Sequence, residues 1–99
     1  MKTTYYLIRE RLVGKREYET DGFTDYLFLE GRWTYDSSMT ILKYLMGFDE
    51  TEPEDSPYAV GNSDIMDEIQ EIPEEDAMKI ITLQLFGFLK AKWKEDTDS

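Results

Sequence analysis

Twelve acidic side chains stand between Phe48 and Asp76: Asp49, Glu50, Glu52, Glu54, Asp55, Asp64, Asp67, Glu68, Glu71, Glu74, Glu75 and Asp76. No Lys or Arg interrupts them. Carboxylates at this density can do three kinds of chemistry. Two acids held across a sugar-sized cleft, one of them desolvated so that its pKa rises, hydrolyse glycosidic bonds. A set of hard oxygen ligands can gather Ca²⁺. A row of spaced carboxylates on a rigid scaffold can imitate a phosphate backbone and occupy the basic surface of a partner.

The first kind fits poorly. The chain contains no His and no Cys, so the commonest general bases and nucleophiles are missing, together with the usual zinc ligands. Its acids are crowded and solvated, and no Gly-rich phosphate loop, nucleophile elbow or kinase signature accompanies them. The expectation is a protein that is not an enzyme. For Ca²⁺ the candidates are Asp49, Glu50, Glu52, Glu54 and Asp55. An EF-hand alternates its ligands around a glycine, whereas this run contains Pro53 and meets no glycine before Gly61. A solvated acidic loop is the simpler reading, and no metal or other cofactor is expected.

The third kind gathers the loop acids Asp49, Glu50, Glu52, Glu54 and Asp55 with Asp64, Asp67, Glu68 and Glu71, which line one face if the following segment is helical. These nine are the expected partner-binding residues. The plain alternative is that they keep a small protein soluble or pair with arginines of its own sheet. Charge is otherwise balanced, with seven basic and seven acidic side chains before Phe48 and four against three after Asp76, so the net charge of −11 is local to this segment.

The whole chain bounds what can position these acids. Ninety-nine residues suit one domain burying roughly two-thirds of its unfolded surface, with a radius of gyration near ~13 Å. A hydrophobic content of 40% and an aromatic content of 14% are too rich for a disordered chain. The lack of Cys fits a reducing compartment. The opening residues turn to charge after four large side chains and read as lacking a signal peptide, and no apolar run approaches ~20 residues. The expectation is a soluble cytoplasmic protein.

Glycine pairs punctuate the first third: Gly14-Lys15, Asp21-Gly22 and Glu30-Gly31. As two-residue hairpin turns they predict a four-strand antiparallel meander over residues 3–35, with strands at 3–13, 16–20, 23–29 and 32–35. The register then puts Val13 opposite Arg16, Thr20 opposite Phe23, Leu29 opposite Arg32 and Phe28 opposite Trp33. One face collects Tyr6, Ile8, Leu12, Tyr26, Phe28, Trp33 and Tyr35 as the core. The other collects Arg9, Arg11, Arg16 and Arg32 with Tyr5 and Tyr18. A one-residue slip would exchange the faces of a strand.

The apolar period then changes to about 3.6. A helix is predicted over 37–46, capped by Asp36 or Ser37 and closed by Gly47. The acidic loop spans 48–62. Asn62 or Ser63 then caps a helix over 63–72, with Ile65, Ile69 and Ile72 on one face and Pro73 as its end. A last helix is predicted over 73–94, acidic at its start and basic at its end. Its apolar arc, which includes Phe86 and Trp93, is wide enough to be covered on more than one side. The fold class is α+β, a meander with two or three helices packed on one face.

The function that follows is a non-enzymatic protein-binding module. A small, acidic, Cys-free domain with one concentrated negative segment has the character of an inhibitor, of immunity type or nucleic-acid-mimic type, though no motif carries the likeness. Its partner would be a basic protein, such as a nuclease or nucleic-acid-binding protein. Direct binding of nucleic acid through the arginines is opposed by the net charge, and no membrane is expected. The domain would be a monomer or weak homodimer. The alternative is a structural subunit that homodimerises through the wide apolar face of the last helix.

Overall fold

The computed structural model describes the backbone over Lys2–Thr97 and the side chains over residues 2–91. The meander comes first: β1 (Lys2–Ile8), β2 (Leu12–Glu19), β3 (Gly22–Leu29) and β4 (Arg32–Tyr35). Then follow α1 (Thr40–Met46), α2 (Ser63–Met66), β5 (Ile69–Ile72) and α3 (Glu74–Thr97). β5 lies antiparallel beside β1, which gives a five-stranded sheet of order β4-β3-β2-β1-β5. The α+β class and the four-strand meander are as expected, with one strand added.

That strand corrects the predicted helix over 63–72, which stops at Met66. The three-residue interval between Ile69 and Ile72 suits a helix face, yet in a strand an odd interval sends side chains to opposite faces. Both faces of this sheet are covered. Ile69 packs with Tyr6 and Ile8 on one side, and Ile72 packs with Val13 and Phe28 on the other.

Two of the three turns also move. β1 and β2 are joined by Arg9, Glu10 and Arg11, with Arg9 (φ 52°) and Glu10 (φ 60°) in the left-handed region. Gly14 lies inside β2, between Tyr6 and Leu27 on the neighbouring strands. A methyl group there would stand 2.8 Å from Cδ1 of Ile41 and 3.3 Å from Cδ2 of Leu27. This glycine serves close approach of α1 to the sheet instead of a turn. The second turn is Thr20-Asp21, so Tyr18, not Thr20, faces Phe23. Glu30-Gly31 turns as predicted, with φ of 52° and 83°. Phe28 accordingly opposes Trp33, their rings edge to face at 5.3 Å between centroids.

The longer first hairpin exchanges the faces of β1 relative to β3. Tyr6, Ile8 and Leu12 share one face with Leu27, and α1 covers it through fully buried Ile41. Val13 and Phe28 form a second core on the other face, under Ala77 and Ile81 of α3. The helices therefore flank the sheet on both sides, α1 with α2 beside it opposite α3, and not on one face.

α1 begins at Thr40, three residues later than predicted. Buried Asp36 still starts it, its two carboxylate oxygens accepting the backbone N–H groups of Thr40 and Ile41 at 2.9 Å each. At the other end of the chain α3 continues three residues past the predicted end at Lys94. Its 24 residues make a rod about 36 Å long at about 1.5 Å per residue. The radius of gyration is correspondingly 16.1 Å, above the value expected of a compact domain. Among the described residues α3 is covered on its sheet side alone. Met78, Leu83, Phe86 and Leu89 are exposed, while the Trp93 side chain lies outside the described residues.

Candidate partner-binding surface

The acidic loop is closed at its base. α1 ends at Gly47, whose left-handed backbone (φ 62°) turns the chain away. A Cβ at Gly47 would stand 2.6 Å from both N and O of Asn62, so glycine is what lets the two ends of the loop touch. Gly61 N–H donates to Met46 O (2.7 Å), Asn62 N–H to Gly47 O (3.0 Å) and Asp49 N–H to Ala59 O (2.8 Å). Within the loop, Ala59 is buried. Such a compact loop with adjoining ends is an Ω-loop.

Side chains continue the closure. Asp49 accepts from the hydroxyl and backbone N–H of Thr51 at 2.6 and 2.9 Å, and from the amide of Asn62 at 3.3 Å. The Thr51 hydroxyl, then its N–H, then Asn62 hold the Asp49 carboxyl below the usual carboxylate range. The carbonyl of Asn62 meanwhile caps α2, accepting from Asp64 N–H and Ile65 N–H. One asparagine thus couples the start of the loop to the start of α2.

The nine expected residues part company here. Asp49 is spent on holding the loop. Glu50 pairs with Lys43 of α1 at 3.3 Å, and Glu68 with Arg9 at 3.8 Å. Glu52, Glu54, Asp55, Asp64, Asp67 and Glu71 have no ion-pair partner among the described residues, and all but half-buried Glu52 are exposed. Asp64, Asp67, Glu68 and Glu71 do not share a helix face. Asp64 lies in α2, Asp67 at its C-terminal cap, Glu68 in the link and Glu71 on edge strand β5 opposite Tyr6. No three carboxylates among the described residues are grouped as metal ligands.

Between α1, the loop and α2 lies a shallow groove of about 230 Å³, lined by Lys43, Tyr44, Phe48, Glu50, Ile65 and Glu68. Phe48, Tyr44 and Ile65 give it apolar walls, and Glu50 and Glu68 give it acidic edges. Both acids are already paired, Glu50 with Lys43, which lines the groove as well, and Glu68 with Arg9. Of its residues, Glu50 and Glu68 were expected. The places of Phe48 and Lys43 depend on the loop folding back on α1.

The expected arginine face does not exist. Arg9 and Arg11 are in the first turn and Arg32 starts β4, exposed. Arg16 is buried against Asp25. Tyr5 and Tyr18 lie on opposite faces of the sheet, by their register against Lys15 and Lys2. No protein-family model, curated protein or solved structure matches this chain. Among the described residues no helix is long and apolar enough to cross a membrane.

Proposed function

We propose that this chain is a non-enzymatic protein-binding module of the cytoplasm that presents its acidic Ω-loop and α2 to a basic surface on another protein, and inhibits it. The supporting observation is the closure of the loop. Glu52, Glu54 and Asp55 are carried on a segment tied at its base by three backbone hydrogen bonds and the Asp49–Thr51–Asn62 side chains. A loop ordered before binding loses less conformational entropy on docking than a free acidic tail. A nuclease or other nucleic-acid-binding protein is the kind of target whose surface is built to meet regularly spaced negative charge.

The test is capture of partners with the wild-type chain and with a variant reversed at Glu54, Asp55, Asp64 and Asp67, followed by association kinetics. The expected partner is basic, is lost by the variant, and associates more slowly as salt rises. From roughly 0.05 to 0.5 M salt the Debye length falls from about 14 Å to about 4 Å, so kon drops steeply while koff changes less. A partner retained by the reversed variant, or one with a salt-independent kon, refutes the reading.

A further inference from the structure

Tyr58 is 75% exposed, the highest value of any large apolar side chain among the described residues. Its backbone is nonetheless fixed. The N–H of Tyr58 donates to the Ser56 hydroxyl at 3.1 Å, Ala59 N–H to Ser56 O at 3.1 Å and Ser56 N–H to Pro53 O at 2.9 Å. The next residue, Ala59, is buried and accepts from Asp49 N–H through its carbonyl. An aromatic side chain on so constrained a segment gives contact area to a partner at low entropic cost.

Tyr58 and Val60 form the apolar side of a shallow hollow of about 390 Å³, and Asp49, Glu52 and Asn62 line its polar side. Asp49 is already engaged by Thr51 and Asn62. Glu52 is not. It is half-buried and has no ion-pair partner among the described residues, and no Lys or Arg lines the hollow. The groove beside α1 differs in this respect, since Lys43 and Arg9 already meet its carboxylates.

An aromatic face beside a carboxylate suits a guanidinium above other cations. It is planar and weakly hydrated, stacks on rings and offers a fork of donors to a carboxylate. This chain builds that constellation once within itself, where Arg16 lies over the Phe23 ring and forks to Asp25. At the hollow the ring and the carboxylate recur without a cation of the same chain. We propose that the hollow between Tyr58 and Glu52 seats an arginine of the basic partner. The proposal rests on the inhibitor reading and names the partner side chain that this reading leaves open. Glu54 and Asp55, exposed beside it in the loop, attract any cation, whereas the ring and Glu52 select arginine over lysine.

Hexa-arginine and hexa-lysine, equal in charge and length, separate attraction from selection. Each is titrated into the ¹⁵N-labelled chain at about 0.15 M salt, where charges a Debye length apart are largely screened, and amide shifts are followed by NMR. Hexa-arginine is expected to bind about threefold or more tightly than hexa-lysine, with shifts centred on Glu52, Tyr58 and Asn62. Tyr58→Ala and Glu52→Gln should each bring the two peptides to equal affinity, and Tyr58→Phe should keep the preference. The amide spectrum of each variant reports that its fold is intact. Equal affinities for the wild-type chain, a preference that survives Tyr58→Ala, or shifts confined to other residues overturn the arginine seat and leave the acidic surface standing. Failure of both peptides to bind saturably refutes the acidic surface itself, and the seat with it.

Discussion

Arg16 and Asp25 face each other across the β2–β3 ladder, and the guanidinium donates through Nε and Nη2 to the two carboxylate oxygens at 2.7 and 2.9 Å. Both residues are buried, and the guanidinium stacks 3.8 Å from the centre of the Phe23 ring. Removing one partner strands the other charge away from water. Asp25→Ala is expected to lower the unfolding free energy by about 3 to 5 kcal/mol, whereas Arg16→Met with Asp25→Leu should be near neutral or stabilising. Urea unfolding of both variants checks this. A double variant as unstable as the single one would mean that the pair does more than satisfy itself.

Gly14→Ala should destabilise the domain by about 1 to 3 kcal/mol, the usual cost of overpacking a filled core. The new methyl group meets Cδ1 of Ile41, a fully buried side chain that would have to shift within the core. The companion change Ile41→Val should recover part of the loss, since it shortens the side chain that collides. Denaturant midpoints for the two single variants and the double give the coupling.

Burial, then the neighbouring Tyr18, pushes the Tyr6 hydroxyl up from 10.0 to about 12. The folded state therefore holds this proton more tightly than the unfolded state. Its contribution to stability is complete below pH 10 and is lost as pH rises through about 12. Unfolding free energy should fall across that window, and Tyr6→Phe should fall less steeply. Phenolate absorbance followed against pH should show one late-titrating tyrosine that the variant lacks.

Thermal melts in EDTA and in millimolar Ca²⁺ should differ only by general screening of the net charge. Both carboxylate oxygens of Asp49 already accept hydrogen bonds from Thr51 or Asn62, and Glu50 is held by Lys43. A saturable one-to-one transition at micromolar Ca²⁺ would show instead that the loop reorganises around the ion.

What could be read from sequence followed whether a residue's role was local. Glu30-Gly31 turns the chain locally, with Gly31 at a positive φ that glycine favours, so the Phe28–Trp33 pair was legible. The β1–β2 turn was not, because Arg9 and Glu10 take up left-handed backbone that Gly14 advertised five residues away. Gly14 answers to Ile41, 27 positions on. β5 was hidden for the same reason: only pairing with β1 decides between strand and helix for Ile-Gln-Glu-Ile. At the candidate surface the excess of negative charge was plain from composition. Its division into spent and free carboxylates was not, since Lys43, Arg9 and Asn62 neutralise or hold particular acids through the folded shape alone.

The place of β5 at the sheet's edge also orders events during biosynthesis. Tyr5 pairs with Ile72, 67 positions later, while the meander closes through short hairpins that can form as the chain emerges. Until residues 69–72 arrive, the outer edge of β1 is an unpaired template for another strand. Closing so distant a contact is entropically slow compared with the hairpins. Nascent chains halted before residue 69 are thus the form most exposed to strand-mediated aggregation. Docking of β5 and then α3 is the step at which that hazard ends.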